Sequence, residues 1–278
     1  MNNKNTNSIG FTGERMINHT ESLMFKIAFE GYEFANKYVK NKNVLDFACG
    51  SGYGSDLLSR NAAKVLGADI DFETIEYCKT KYKRDNLSFI CVEQNKEISE
   101  FKDAFDVIVS LQTIEHITEY KVFLFSLKRY LKKNGIVIIA TPNNFRNVNP
   151  PANEFHIYEF DIIELYNILK GIFVGYQVAV YGQCKTGVKR SDKIDEKRFS
   201  VKRLITDVVV GVYNFDRKHL NICHKIEHLK IYKYFSNLQN EYKGDISIYP
   251  INPDEKFFNP STSYYVIQEI PGVDSVKK

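Results

Sequence analysis

A glycine-rich turn follows the first buried apolar run of the chain, and its residue types indicate ligand chemistry. Residues 44–47 are the end of that run, and they lead into Ala-Cys-Gly-Ser-Gly-Tyr-Gly at 48–54. Because glycine has no Cβ, the backbone can turn sharply there and a ligand can lie against it. Asp69 ends the next apolar run, at about the spacing at which a second strand presents an acid to ribose hydroxyls. Together the turn and the acid predict a site for a nucleoside-containing cofactor.

The residues around the glycines indicate which cofactor this is. A nicotinamide site has a third glycine or alanine three positions after the second, where this chain has Ser55. Asp46, shortly before Gly50, would sit badly beside a pyrophosphate, but it suits a cationic ligand or could hold the turn by accepting backbone N–H bonds. The segment 46–54 resembles motif I of the class I S-adenosylmethionine-dependent methyltransferases. The resemblance implies S-adenosylmethionine as the cofactor and S-adenosylhomocysteine as the product.

The resemblance to this family extends over about residues 10–182. Segments 65–71, 87–93, 105–117 and 131–143 are similar to its second to fifth strands and occur in the expected order. The cofactor contacts that the resemblance implies fall on Asp46, Ala48, Gly50, Gly52, Tyr53, Asp69, Ile70, Glu93, Gln94, Ser110, Gln112 and Arg15.

Of three side chains near the predicted site, one departs from the family's usual residue and two have two interpretations each. Glu93 stands where the family usually has an Asp against the adenine amino group, and Glu is a longer acid. Arg15 could pair with the cofactor carboxylate or an acceptor phosphate through a bidentate fork, or form an ordinary surface salt bridge. Tyr32 could close over the methionine end of the cofactor, although an aromatic residue on a helix is more often part of the core.

Two histidines lie where an acceptor would be expected to bind. Methyl transfer is an in-line displacement that depends on positioning, and a hydroxyl acceptor additionally benefits from a general base. His116 follows the fourth strand and His156 lies after the fifth, at the edge where open α/β sheets bind ligands. We expect His156 to be the base. The predicted catalytic residues are His156, His116 and Glu115, and Tyr158, Glu159 and Asn143 are predicted to contact the acceptor or orient the imidazole.

Glu115 and His116 could instead share a cation. Quinone-biosynthesis methyltransferases with a similar Glu-x-x-Glu-His segment are thought to hold a divalent metal there. In this chain Gln112 replaces the first acid, so no metal ligand is assigned and a metal requirement stays open. The Glu-His pair could equally shape the pocket wall beside the cofactor.

Strand-like and helix-like segments alternate along the chain, which predicts a mostly parallel sheet covered on both faces. The resemblance implies a Rossmann-like α/β fold with seven strands, the last of them antiparallel. Strands are predicted near 43–48, 64–69, 87–92, 105–110, 135–141, 172–182 and 262–270. A helix is predicted over 160–170, ended by Gly171.

The predicted domain organisation has four parts. They are an N-terminal segment and helix that contributes to the active site (1–40), the cofactor-binding core (41–184), a basic helical insertion between the sixth and seventh strands (185–244), and the final strand with the tail (245–278). The insertion is interpreted as a solvated excursion packed on the sheet edge or on a second subunit in a homodimer, or as a cap over the substrate.

The composition argues against several other classes of protein. A net charge of +4 is too small to indicate nucleic-acid binding. No run approaches the roughly 18 apolar residues of a membrane span, and the polar first residues lack the apolar core of a signal peptide. Five cysteines without close pairing indicate reduced thiols, and hence a cytoplasmic protein.

Four segments narrow the expected acceptor. Residues 12–16, 141–143, 153–160 and 180–183 resemble a bacterial methyltransferase group associated with surface-polysaccharide and sugar-nucleotide biosynthesis. This resemblance implies O-methylation of a sugar, nucleotide sugar or glycan. The alternatives are a methyltransferase for another small acceptor (quinone-like, amine or natural product) and a non-catalytic scaffold with the cofactor fold.

Overall fold

The computed structural model describes residues 23–93, 96–144, 151, 153, 155–185, 246–251 and 262–269. The helices of this part are α1 (Leu23–Asn36), α2 (Tyr53–Ser59), α3 (Phe72–Lys81), α4 (Tyr120–Tyr130) and α5 (Ile162–Ile172). The strands are β1 (Asn43–Phe47), β2 (Lys64–Asp69), β3 (Leu87–Cys91), β4 (Phe105–Leu111), β5 (Leu131–Pro142), β6 (Tyr176–Lys185), β7 (Ile246–Ile251) and β8 (Thr262–Glu269). The predicted insertion lies outside the described residues, apart from Lys185 at the end of β6.

The strands form one sheet with the order β3-β2-β1-β4-β5-β8-β6-β7. The first five strands pair in parallel, and β8 runs antiparallel between β5 and β6. The predicted mostly parallel sheet with a final antiparallel strand is therefore confirmed. Because the strand order reverses between β1 and β4, the loops after these two strands flank a crevice at the carboxyl edge.

One further strand extends this predicted sheet. β7 pairs antiparallel with β6 at the sheet edge, within the segment expected to hold only the final strand and the tail. Its sequence contains Pro250, which lacks an N–H donor and is tolerated in an edge strand. The proline weakens the strand pattern and explains why sequence reasoning missed β7.

Two apolar clusters cover the faces of the sheet. α4 and α5 bury Leu124, Leu127, Leu165 and Leu169 against one face. α1 and α2 pack on the other face, with Ala35, Leu57 and Leu58 in the core. None of the described helices combines the length and the apolar character that a membrane crossing requires.

The helix predicted over 160–170 differs from α5 at both ends. Asp161 is its N-cap and forms a capping box with Glu164, so the helix begins after the cap. It then passes through Gly171, where an added Cβ would meet nothing within 4 Å. The left-handed residue that turns the chain is Gly175, with φ +88°.

Candidate cofactor and acceptor site

The turn after β1 requires glycine for two different reasons. Gly50 and Gly52 have φ values of +51° and +78°, a region that favours glycine. A Cβ on Gly52 would lie 2.7 Å from Cys78 Sγ, whereas a Cβ on Gly50 would meet nothing within 4 Å. The space beside Gly50 is therefore open, and it fits a ligand that approaches the backbone closely. Ala48, a predicted cofactor contact in the same turn, also has a positive φ (+68°). The sequence pattern did not predict this backbone conformation for a non-glycine residue.

Asp69 joins the ends of the first two strands, as its predicted place at the end of β2 requires. One carboxylate oxygen accepts a 2.9 Å hydrogen bond from Gly50 N, and the other accepts a 3.0 Å bond from Asp71 N. The carboxylate is partly exposed, and the next side chain, Ile70, is 59% exposed. Asp69 thus holds the glycine turn and keeps lone pairs at the crevice, beside an apolar surface on which a flat base could lie.

Asp46 is fully buried behind the turn. Its two oxygens accept hydrogen bonds from Tyr32 Oη at 3.1 Å and from Ser55 Oγ at 2.6 Å. Burial raises the pKa of Asp46 to about 7, although both hydrogen bonds oppose the rise. The partners are therefore hydroxyl groups and not the backbone N–H groups considered for this acid. The ring of Tyr32 is buried, as expected for a core residue, and its hydroxyl reaches the predicted cofactor turn.

Glu115, His116 and His156 come together at the ends of β4 and β5. Glu115 is fully buried; its Oε2 accepts from Thr141 Oγ1 at 2.9 Å, and burial raises its pKa. Its Oε1 is buried without a hydrogen-bond partner in the described part of the chain and lies 4.0 Å from His116 Nε2. The imidazole rings of His116 and His156 meet edge to face, with centroids 4.9 Å apart. The sequence paired Glu115 with His116 and left His156 separate, and the fold brings all three into one cluster.

Backbone contacts attach the loop after β5 to the end of β4. The Glu115 carbonyl oxygen accepts from Ile157 N at 2.8 Å and from Tyr158 N at 3.2 Å. The Phe155 carbonyl oxygen lies 2.9 Å from His116 Nδ1. Since a carbonyl oxygen only accepts, this contact places the proton of a neutral His116 on Nδ1.

His156 is fixed at both ring nitrogens. Its Nδ1 lies 2.6 Å from Glu159 Oε1, and its Nε2 lies 2.9 Å from Asn153 Nδ2. Phe155 N donates to Asn153 Oδ1 at 3.1 Å, which orients the amide so that its NH₂ group faces the imidazole. His156 therefore carries its proton on Nδ1 and presents the Nε2 lone pair.

The remaining predicted residues have various surroundings. Tyr53 packs against Tyr32 and Phe25, with ring centroids 5.4 and 5.2 Å away. Ser110 is buried at the end of β4, and Gln112, with φ +54°, donates its N–H to Ala140 O. Asn143 is also buried. Arg15 and Gln94 lie outside the described residues.

Two predicted contact residues have other partners. The Glu93 side chain is 73% exposed and forms a 2.7 Å ion pair with Lys96. The Tyr158 hydroxyl donates to Glu164 at 2.7 Å. An adenine contact for Glu93 and an acceptor contact for Tyr158 would both require the side chain to leave the partner it has here.

Comparison with known proteins finds a similarity to methyltransferases. Residues 45–139 match the family model of a methyltransferase domain. This part of the chain, about a third of its length, is therefore similar to a methyltransferase domain. S-adenosylmethionine, the cofactor expected from the sequence, also stands in the name of a relative that is described below. The open space at Gly50 and the Asp69 carboxylate fit such a ligand.

Two curated relatives of this chain are named as methyltransferases. The chain is 30% identical over 169 residues to a probable S-adenosylmethionine-dependent methyltransferase of Mycolicibacterium smegmatis, covering 59% of this chain and 64% of that protein. It is 31% identical over 173 residues to a ubiquinone biosynthesis O-methyltransferase of Pelagibacter ubique, covering 61% and 66%. Each match spans a little less than two thirds of the relative's length.

Solved structures share the fold of this chain. The YcgJ protein of Bacillus subtilis covers 87% of the chain at a TM-score of 0.53 and 14% identity, with 99% of that protein aligned. The [4+2]-cyclase SpnF also covers 87%, with 80% of its own length aligned, at a TM-score of 0.54 and 12% identity. Since the fold also occurs in a cyclase, the reaction must be argued from the site.

Proposed function

We propose that this protein is a methyltransferase, which transfers the methyl group of S-adenosylmethionine to a hydroxyl oxygen of a small molecule. The observation that carries the proposal is the imidazole–carboxylate pair of His156 and Glu159, 2.6 Å apart, beside the cofactor crevice. An amine acceptor only has to arrive neutral, whereas a hydroxyl must lose its proton as the new bond forms. An oriented base at this edge of the sheet therefore favours an oxygen acceptor.

The cofactor-binding residues act by position. Gly50 leaves room against the turn, and Asp69 offers its remaining lone pairs to ribose hydroxyls while holding Gly50 N. When bound there, S-adenosylmethionine supplies an electrophilic methyl group on its sulfonium. The protein's contribution is to hold donor and acceptor in line and to exclude water.

His156 acts as the proton acceptor in this proposal. Glu159 holds the proton on Nδ1 and stabilises the imidazolium that forms when Nε2 takes the acceptor's proton. The Asn153 amide marks the direction of the Nε2 lone pair, and the acceptor hydroxyl replaces this amide on binding. A base of this kind contributes roughly 10²–10⁴-fold to the rate.

A sugar hydroxyl, free, nucleotide-linked or on a glycan, is the acceptor that we propose first. The supporting observations are the resemblance of segments 12–16 and 153–160 to a surface-glycan methyltransferase group and the polar, oriented surroundings of His156. The second candidate is a phenolic, quinone-like acceptor, favoured by the relative that is named a ubiquinone biosynthesis O-methyltransferase.

The His156 cluster also offers a second way to handle the acceptor proton. One ligand atom each from Glu115, His116 and His156 lies within 4.8 Å of the others, a geometry that could hold a metal ion. A bound cation would bind the acceptor oxygen and lower its pKa. Loss of methyl transfer after chelator treatment, with recovery on adding a divalent cation, would favour a bound cation over the His156 imidazole as the group that handles the acceptor proton.

The decisive experiment is a methyl-transfer screen over nucleotide sugars, free sugars, lipid-linked glycans, quinols and amines, which follows S-adenosylhomocysteine formation. We expect His156→Ala to lower turnover about 100-fold and to leave the Kd for S-adenosylmethionine within about threefold of the unmodified chain. Tyr166→Phe, which removes a hydroxyl on α5 away from the cluster, is the folding control. Near-normal turnover in His156→Ala would remove the base from this residue, and methylation of amines alone would refute the oxygen acceptor. Failure of the unmodified chain to bind S-adenosylmethionine would favour the scaffold.

A further inference from the structure

A buried hydroxyl–carboxylate network connects α1 to the cofactor turn. Tyr32 Oη and Ser55 Oγ donate to the two oxygens of Asp46, and all three side chains are buried. The third glycine of the turn, Gly54, belongs to this network, because a Cβ there would overlap the Tyr32 ring. The absence of a side chain at Gly54 is thus explained by Tyr32 and not by a ligand.

Strands β6 and β8 hold α1, and with it Tyr32, in place. Gln183 on β6 donates from Nε2 to Ile27 O in α1 at 2.9 Å, and Tyr264 on β8 donates to Gln183 Oε1 at 3.2 Å. Gly31 lies close to the Tyr264 hydroxyl, since a Cβ there would be 2.7 Å from it. These contacts fix α1 and therefore the direction in which Tyr32 points.

We infer that Tyr32 is a positioning residue of the cofactor site, whose hydroxyl keeps the buried Asp46 carboxylate charged and directed at the sulfonium of S-adenosylmethionine. The inference rests on the proposed function, because it assumes that the cofactor binds at the glycine turn. Asp46 is enclosed by protein, so its charge acts through a medium of low dielectric and is felt across the turn. Tyr32 does not touch the reacting atoms; it acts through Asp46.

The groups that face Asp46 determine the sign of the effect. Burial raises the pKa of Asp46 to about 7, the hydrogen bonds from Ser55 and Tyr32 lower it, and the charge of Asp69 on β2 raises it. Tyr53 and Cys49 also feel the charge of Asp46. Burial raises the pKa of Tyr32 well above its usual value, so its hydroxyl stays protonated as a donor. Loss of this donor therefore raises the pH at which Asp46 becomes charged.

The test compares S-adenosylmethionine with S-adenosylhomocysteine, which lacks the sulfonium charge. Isothermal titration calorimetry at pH 7 should show that Tyr32→Phe binds S-adenosylmethionine about tenfold more weakly, as expected for one lost hydrogen bond to a charged group. The affinity for S-adenosylhomocysteine should fall less than about threefold. At pH 9, where Asp46 is ionised even without Tyr32, the affinity for S-adenosylmethionine should recover to within about threefold of the unmodified chain.

Three further variants separate the charge effect from packing. Ser55→Ala removes the other donor and should show the same loss and recovery. Tyr38→Phe, which removes a tyrosine hydroxyl just after α1 that interacts with Tyr181, should leave both affinities unchanged. In an Asp46→Asn background, Tyr32→Phe should have no further effect on the ratio of the two affinities.

Two results would overturn the inference while leaving the proposed function intact. One is an equal loss for both ligands at every pH, which would show that Tyr32 acts by packing alone. The other is a Tyr32→Phe effect that persists unchanged in the Asp46→Asn background. If the unmodified chain bound neither ligand, the proposed cofactor site itself would fail, and this outcome is read from the unmodified chain alone.

Discussion

Replacing Asp46 by Asn should stabilise the ligand-free protein at neutral and alkaline pH. The pKa of Asp46 is raised from 3.8 to about 7 because the carboxyl group is buried. A difference of this size corresponds to about 4 kcal/mol that the folded state loses when the group is ionised, at 1.36 kcal/mol per pKa unit. Asn resembles the protonated acid in shape and carries no charge, so the variant avoids this cost.

The sign follows from proton binding. Between pH 3.8 and about 7 the folded protein holds a proton on Asp46 that the unfolded chain has released, so the stability of the unmodified chain falls as the pH rises through this window. The penalty is absent below pH 3.8 and complete above about pH 7. Between pH 5 and pH 8, the stability of Asp46→Asn relative to the unmodified chain should increase by about 3 kcal/mol.

Urea unfolding of ligand-free protein at several pH values measures this difference directly. Asp56→Asn is the matched control. Partial burial raises the pKa of Asp56, but Arg84 and Arg60 outweigh it, and the pKa lies below its usual value. The effect of that variant should therefore be flat between pH 5 and pH 8. A constant stability difference between Asp46→Asn and the unmodified chain across this range would refute the assignment of a buried, ionisable Asp46.

Two further predictions concern stability. Gly54→Ala should destabilise the protein by about 1–3 kcal/mol because the new Cβ overlaps the Tyr32 ring. Gly171→Ala, in open space on α5, should instead stabilise it by about 0.5–1 kcal/mol. Equal effects of the two variants in thermal unfolding would contradict the packing argument. Asp161→Ala removes the capping box of α5, in which Asp161 accepts from Ile163 N and Glu164 N, and should cost about 1 kcal/mol in urea unfolding; no change would show that the cap is redundant.

The central strands could be predicted from the sequence because they are buried apolar runs. β1, β2, β3 and β4 begin and end within one residue of the predicted segments. The edge of the sheet could not be predicted in the same way. β7 contains Pro250, which weakens its strand pattern, and it pairs with β6 across a long insertion.

On the acceptor side of the site, the residue types could be predicted from the sequence but their arrangement could not. His116, His156 and Glu159 could be predicted as site residues from their residue types and their places in the chain. The tautomer of His156 depends on Asn153 and on Phe155 N, and the position of the loop depends on the Glu115 carbonyl oxygen. The Asn153 contacts lie within the loop after β5. The Glu115 contacts join this loop to the end of β4, and they exist only once β4 and β5 have paired.

The contacts of Asp46 illustrate why the cofactor side required the structure as well. Its place in the motif suggested either a cationic ligand or backbone N–H partners. One of its actual partners is Tyr32 of α1, and no local sequence pattern predicts that α1 packs against the turn. The fold places a carboxylate where burial opposes its charge and then provides two hydroxyl donors that lower its pKa. Such an arrangement lowers the stability of the ligand-free protein as the pH rises from 3.8 to about 7, whereas a neutral side chain would not. A buried acid with this cost is therefore better explained by attraction of a cationic ligand than by a contribution to folding. An Asp46→Asn variant that is more stable but binds S-adenosylmethionine poorly would show that Asp46 lowers stability and strengthens cofactor binding.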